Sequence, residues 1–249
     1  MIDLTGKGSG IRLLKGASVA LVGLGNSQRE YTSSVANGAE YDEVWVVNSM
    51  LAPIKHDRVF MMDPPSRFFD TDLAGKQTSA LRRELPKHPG PIYTCELDSR
   101  VPGAVLYPLE EIVAKTGLCY FNNTIPYAIA FAIYNEVGKL FLYGIDYSYK
   151  TNLHMAESGR ACTEFWLSAA VARGMRIDVA SCSALLDTDV PIEEKLYGYH
   201  RLDDPLIMNL KDDTLTLIQK SNIEPPEPLD VQPVLFERND KIVSMQGKV

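Results

Sequence analysis

The chain has 249 residues, 45% of them hydrophobic, and a net charge of −7. That length holds one sizeable α/β domain or two small ones, and the negative balance excludes a general binder of the nucleic-acid phosphate backbone. No apolar run approaches the ~20 residues of a membrane span, and residues 1–16 lack the apolar stretch of a secretory signal, so a cytoplasmic protein is expected.

The first element is ASVALVGLG, residues 17–25. An apolar run that ends in glycines predicts a buried strand and a tight turn. EVWVVNSM and DRVFMMD repeat the apolar pattern, and PIYTC and GAVLYP are shorter candidates. The expected strands are 18–23, 43–48, 57–62, 139–145 and 176–180, with 91–95 and 103–108 as the short ones. Helices are expected over 72–85, over 122–138 with Thr124 as N-cap and Gly138 at the end, and over 155–174, closed by Gly174. Strands alternating with helices define an α/β fold, a doubly wound, mostly parallel Rossmann-like sheet with helices on both faces. Residues 1–186 are expected to form this domain. Residues 187–249 read as an irregular C-terminal arm, a lid or an oligomer contact, because EPPEPLDVQP is Pro-rich and acidic.

Ligands of such sheets lie beyond the carboxyl ends of the strands, so the polar residues there carry the chemistry. Gly23, Gly25, Asn26 and Ser27 follow the first strand. Glycines let backbone N–H groups approach a phosphate; a purely structural tight turn uses them equally. Asn48 and Ser49 follow the second strand, where dinucleotide dehydrogenases place an acid for the ribose, so NAD is disfavoured. Asp63 follows the third, as a turn cap or as an acceptor or phosphate contact. Asn122, Asn123 and Thr124 open a helix; simple capping explains one of them, and three adjacent polar groups at a helix N-terminus also offer an anion site. Asp146 ends a later strand, with Tyr147 and Tyr149 just beyond.

His154 then precedes a helix that begins polar and ends apolar. Histidine titrates near neutrality, which suits a general base; an exposed loop histidine is the bland alternative. Glu157 and Arg160, an i, i+3 pair on the same helix, pair with each other or meet an acceptor or phosphate. The triplets Asp70–Asp72 and Asp187–Asp189 could hold a metal on a diphosphate, although short acidic triplets are common by chance. The four cysteines form no CxxC pair. Cys119 and Cys182 are expected as buried free thiols, and no structural metal site is read.

These stretches together, GLGNS, VVNSM, NNTIPYAIAFAIYNEVGKLFLYGIDYSY and HMAESGRACTEFWLSAAVARGMRIDVASCSALL, resemble a Rossmann-like superfamily. It joins bacterial CMP-sialic-acid sialyltransferases, flagellin-modifying motility accessory factors and 6-hydroxymethylpterin diphosphokinase-like proteins. The wording is most similar to phage and prophage members, which would place the protein in a host cytoplasm. The resemblance covers residues 17–186. It implies a nucleotide held by Gly23, Gly25, Asn26, Ser27 and Asn48, a donor contact at Asn123 and Thr124, and His154 as general base. It also implies tyrosines that help the phosphate leave, here Tyr147 and Tyr149.

The implied activity is a glycosyltransferase with a nucleotide-sugar donor and a small-molecule or glycan acceptor, needing no cofactor. The alternatives are an ATP- and Mg²⁺-dependent diphosphokinase with a pterin-like acceptor, or a non-catalytic phage nucleotide-binding or structural protein. Only YSYKTNL separates Asp146 from His154, where sialyltransferases carry a long lid insertion; residues 197–205 are a candidate cover.

Overall fold

The structure is a computed structural model that describes residues 14–72, 74–149, 152–211 and 214–223. The chain divides into two compact units, residues 1–191 and 192–249. Within the first unit seven strands form one sheet: β1 (Ser18–Val22), β2 (Glu43–Val47), β3 (Arg58–Phe60), β4 (Ile92–Thr94), β5 (Ala104–Leu106), β6 (Lys139–Tyr143) and β7 (Arg176–Val179). Their order is β5-β4-β3-β2-β1-β6-β7, and every adjacent pair runs parallel. All five principal strands and both short ones form where their apolar runs predict.

A parallel sheet covered on both sides needs apolar residues at both phases of the pleat. SVALV meets that demand. Val19 and Leu21 enter one core with Trp45, Phe60, Tyr93, Leu140 and Leu142. Ala20 and Val22 enter the other with Val46, Val59, Met61 and Ile92. The first core is closed by α5 (Thr124–Tyr134) and α6 (Leu153–Val171), through residues such as Ile129, Phe131, Trp166 and Leu167. The second is closed partly by α2 (Ser66–Phe69) and α3 (Gln77–Glu84), through Phe68 and Leu81. Two more helices, α1 (Gln28–Ala36) and α4 (Leu109–Thr116), complete the unit.

At the amino edge of the sheet the first residues of β2 and β3 form a buried ion pair. Arg58 donates twice to Glu43, at 2.7 and 3.0 Å, and once to the Tyr93 hydroxyl at 3.0 Å. Trp45 Nε1 donates to the same carboxylate at 2.7 Å. The pair is internally satisfied and lies at the opposite ends of the strands from the loops that carry ligand chemistry.

Several local expectations are corrected. Asn123, not Thr124, caps α5: its side chain accepts the Ile125 N–H at 3.0 Å. α5 also stops at Tyr134, ahead of Gly138, and Glu136 takes a φ of 56°. α6 starts at Leu153, because the Asn152 side chain accepts the Met155 N–H at 3.1 Å, so His154 lies inside its first turn. Cys119 and Cys182 are exposed and Cys162 is the buried thiol; the first two lie in loops after α4 and β7, off the packed faces.

In the second unit, β8 (Leu206–Lys211) and β9 (Thr214–Gln219) form an antiparallel hairpin. No strand was expected there. The Pro-rich segment 224–233 lies outside the described residues. Among the described residues no helix is long and apolar enough to cross a membrane.

Candidate functional site

The strand order reverses between β1 and β6. The chain runs outward from β1 to β5, then returns along α5 to set β6 on the other flank of β1. Open parallel sheets bind ligands at such a point.

The turns that leave β1 and β6 touch each other. Gly23 N–H donates to the Tyr143 carbonyl at 2.8 Å, and Gly25 N–H to the Gly144 carbonyl at 2.7 Å. A Cβ on Gly23 would meet the Gly144 oxygen at 2.5 Å, and one on Gly25 would meet Asp146 Oδ2 at 2.5 Å. The crossing of two backbones therefore demands these glycines before any ligand does.

Asp146, only 6% exposed, accepts the Ser27 N–H at 2.9 Å and also the Ser27 hydroxyl proton. The Ser27 oxygen in turn accepts the Gly144 N–H at 2.7 Å. Asp146 and Ser27 hold the turn from within. Among the described residues the N–H groups of Leu24 and Asn26 take no partner, so these are the donors the turn leaves for a ligand.

A cleft of about 590 Å³ opens over these turns. Asn48 lines it just after β2, with a φ of 49°, a left-handed conformation that asparagine tolerates better than most residues. Its amide oxygen is buried and has no hydrogen-bond partner. On the far wall stands the start of α5. Asn123 occupies the Ile125 N–H and Pro126 has none, which leaves the N–H and hydroxyl of Thr124, itself in the cleft lining, without a protein partner among the described residues.

Asn122 Nδ2 donates to the Ser158 carbonyl at 2.7 Å and so ties this wall to α6. Tyr147, with a φ of 50°, packs its ring on Gly159, where a Cβ would meet a ring carbon at 2.7 Å. Its hydroxyl donates to Asn123 Oδ1 at 3.1 Å and lies 2.5 Å from Thr163 Oγ1. Burial pushes this phenol well above its ordinary range, so it stays protonated and locks α5 to α6. Tyr149 is 53% exposed, edge-on to Tyr147, and is the freer hydroxyl of the two.

Beyond β3, Asp63 and Arg67 both line the cleft. Arg67 donates to Asp63 Oδ1 at 2.6 Å, the two side chains being 45% and 32% exposed. A solvated i, i+4 pair of this kind contributes only about 0.3–0.5 kcal/mol.

The structure thus gathers Gly23, Gly25, Asn48, Asp63, Asn123, Thr124, Asp146, Tyr147 and Tyr149 around one cleft. Other expected residues lie elsewhere. Asn26 is exposed beside the turn and Ser27 is buried behind it. Ser49 donates to Gln77 Oε1 at 3.2 Å. Glu157 is exposed outside the cleft lining. Arg160 donates to the Ala184 carbonyl at 3.1 Å and pairs with Glu164 and Asp187, fastening α6 to the turn after β7 instead of meeting a ligand. His154 is exposed on the first turn of α6 and is not among the lining residues; Met155, the next residue, is.

Both acidic triplets are tied by arginines: Asp70 to Arg100, Asp72 to Arg82 and Asp187 to Arg160. Among the described residues no three His, Cys, Asp or Glu side chains gather into a metal-holding group. Sequence reasoning missed Arg67 and Ser158, whereas Asn122, read with Asn123 and Thr124 as part of an anion site, does line the cleft. The i, i+4 spacing of Asp63 and Arg67 across a Pro-Pro turn was the available signal for the first.

Fold and cleft define a doubly wound α/β protein with a polar cleft at its topological switch point. No family model and no curated protein matches the chain. Among solved structures it is similar to the sialyltransferase CstII from Campylobacter jejuni, in complex with a substrate analogue, CMP-3FNeuAc. The TM-score is 0.40 at 19% identity, over 68% of this chain and 83% of that one. At that level the likeness assigns no function here.

Proposed function

We propose that the chain is a nucleotide-dependent transferase, a glycosyltransferase that takes a nucleotide sugar as donor. The observation that carries this reading is the unpaired, buried amide oxygen of Asn48. An orphaned buried acceptor costs about 1–3 kcal/mol, and a ligand that brings hydroxyl or amino donors removes that cost. A nucleoside brings both. The open N–H groups of Leu24 and Thr124, both in the cleft lining, suit a phosphate beside it. A volume of about 590 Å³ falls within the range of small-molecule sites.

In this reading the donor lies along the carboxyl edge of the sheet and the acceptor enters from solvent. His154, exposed one residue before the cleft wall, takes the proton of the acceptor hydroxyl. The acceptor oxygen attacks the sugar carbon, and the nucleotide leaves with the bonding electrons. In this reading Tyr149, exposed and in the cleft lining, donates to the leaving phosphate, whereas Tyr147 serves the scaffold.

A thermal-shift screen tests the reading, because a ligand selective for the native state stabilises it, by about 2.7 kcal/mol at a hundredfold excess over Kd. CMP or UMP, or their sugar conjugates, should raise Tm without added metal. A response confined to ATP with Mg²⁺ would replace the reading by a diphosphokinase, and no response to any nucleotide would remove it. With a donor in hand, His154→Ala should lower turnover by ~10²–10⁴-fold and leave nucleotide affinity unchanged. Unchanged turnover would take the base role from His154.

A further inference from the structure

Three charged side chains line the cleft among the described residues: Asp63, Arg67 and Asp146. Asp146 is buried and engaged with Ser27. What remains facing a ligand is the Asp63–Arg67 pair, and Arg67 is its one cation. The chain as a whole carries −7, so an anionic ligand finds no general attraction here. The backbone donors of the β1 turn supply hydrogen bonds but no full charge.

Arg67 spends one nitrogen on Asp63 Oδ1, at 2.6 Å, and the pair is partly solvated. Its guanidinium is a planar fork that matches an oxyanion with two parallel hydrogen bonds. Asp63 engages only one arm of that fork, so an oxyanion that takes its place can add a second hydrogen bond.

We propose that Arg67 is the anion clamp of the cleft, held by Asp63 until an oxyanion of the ligand, phosphate or carboxylate, takes its place. The assignment rests on the nucleotide reading and names the group that fixes its charge. Asp63 then acts as a gate: it positions Arg67 and repels anions that do not reach the guanidinium.

The test is a set of titrations by calorimetry. CMP, UMP, AMP and GMP are each compared with the matching nucleoside, and UDP-glucuronate with UDP-glucose. If the group is phosphate, Arg67→Ala should weaken each nucleotide by about 10- to 100-fold and leave its nucleoside unchanged; if it is a sugar carboxylate, UDP-glucuronate should weaken by that factor and UDP-glucose should not. Loss in the nucleotide–nucleoside pairs identifies phosphate as the group; loss confined to the glucuronate pair identifies a sugar carboxylate. Arg67→Lys should fall between, since it keeps the charge and loses the fork.

Asp63→Asn should act with the opposite sign and tighten anion binding several-fold. Both positions are partly exposed, so Tm should stay at the wild-type value. If the wild type binds a nucleotide and Arg67→Ala binds it equally well, or loses both members of each pair alike, the clamp is overturned and the nucleotide reading survives. A wild-type protein that binds no nucleotide overturns both.

Discussion

Glu30, in the first turn of α1, accepts the N–H groups of Ser181 and Cys182 at 2.9 and 3.0 Å and the Ser181 hydroxyl at 3.1 Å. Burial pushes its carboxyl up, but hydrogen bonds from the Cys182 thiol, from these two N–H groups and from the Ser181 hydroxyl outweigh that and hold it below the ordinary carboxylate range. A carboxylate with a lowered folded pKa contributes stability above its unfolded pKa and loses it as pH falls through the lowered value. The same contact raises the Cys182 thiol to about 11, chiefly through its hydrogen bond to Glu30. Cys182 should therefore alkylate slowly with iodoacetamide at pH 8.5, although it is exposed, because the thiolate is the nucleophile. Glu30→Gln should raise that rate by roughly 10-fold or more, read from the Cys182 peptide by mass spectrometry; an unchanged rate would contradict the assigned hydrogen bond. Nothing in the local sequence pairs Glu30 with Ser181 and Cys182, since the partners lie on different strand ends. Asn48 was legible because it follows an apolar run and stands where the fold puts ligand contacts. Arg67 was not, because its meaning depends on which way the chain turns after Pro64-Pro65.

The strands were legible because their apolar runs start after Gly, Pro or Asp residues, as at Gly16, Asp42, Asp57, Pro91, Gly103, Gly138 and Gly174. α5 and α6 were legible from their apolar bodies. α1 was harder: none of its residues is fully buried, so it shows no apolar stripe to read. The β1 turn shows where sequence reasoning stops. In sequence, Gly25 reads as space for a phosphate; in the structure a Cβ there would strike Asp146 Oδ2 at 2.5 Å and the Gly144 oxygen at 2.9 Å. Gly25→Ala should therefore destabilise the protein by about 1–3 kcal/mol, the usual cost of overpacking, seen as a lower urea midpoint with the same slope. An unchanged midpoint would mean that the β1 and β6 turns do not cross as described. Gly25→Val, with a larger side chain at the same spot, tests the fold before it tests nucleotide binding.

At the scale of the molecule, periodicity predicts a parallel sheet but not its order. The order β5-β4-β3-β2-β1-β6-β7 is what brings residues as far apart as Gly25, Asn48, Thr124 and Asp146 to one edge, and it follows from long-range packing that no local stretch encodes. The β8–β9 hairpin escaped for a local reason: residues 206–219 carry no Asn-Gly or Asp-Gly turn signal between the two strands. The central claim is that the switch-point cleft is a nucleotide site. Methionine-methyl NMR during titration with CMP and UMP tests it most directly, because Met62 and Met155 line the cleft while Met50 and Met175 are buried away from it. Saturable shifts at Met62 and Met155, with Met50 and Met175 still, are the predicted result; shifts confined to the latter pair, or none with any nucleotide, would contradict it.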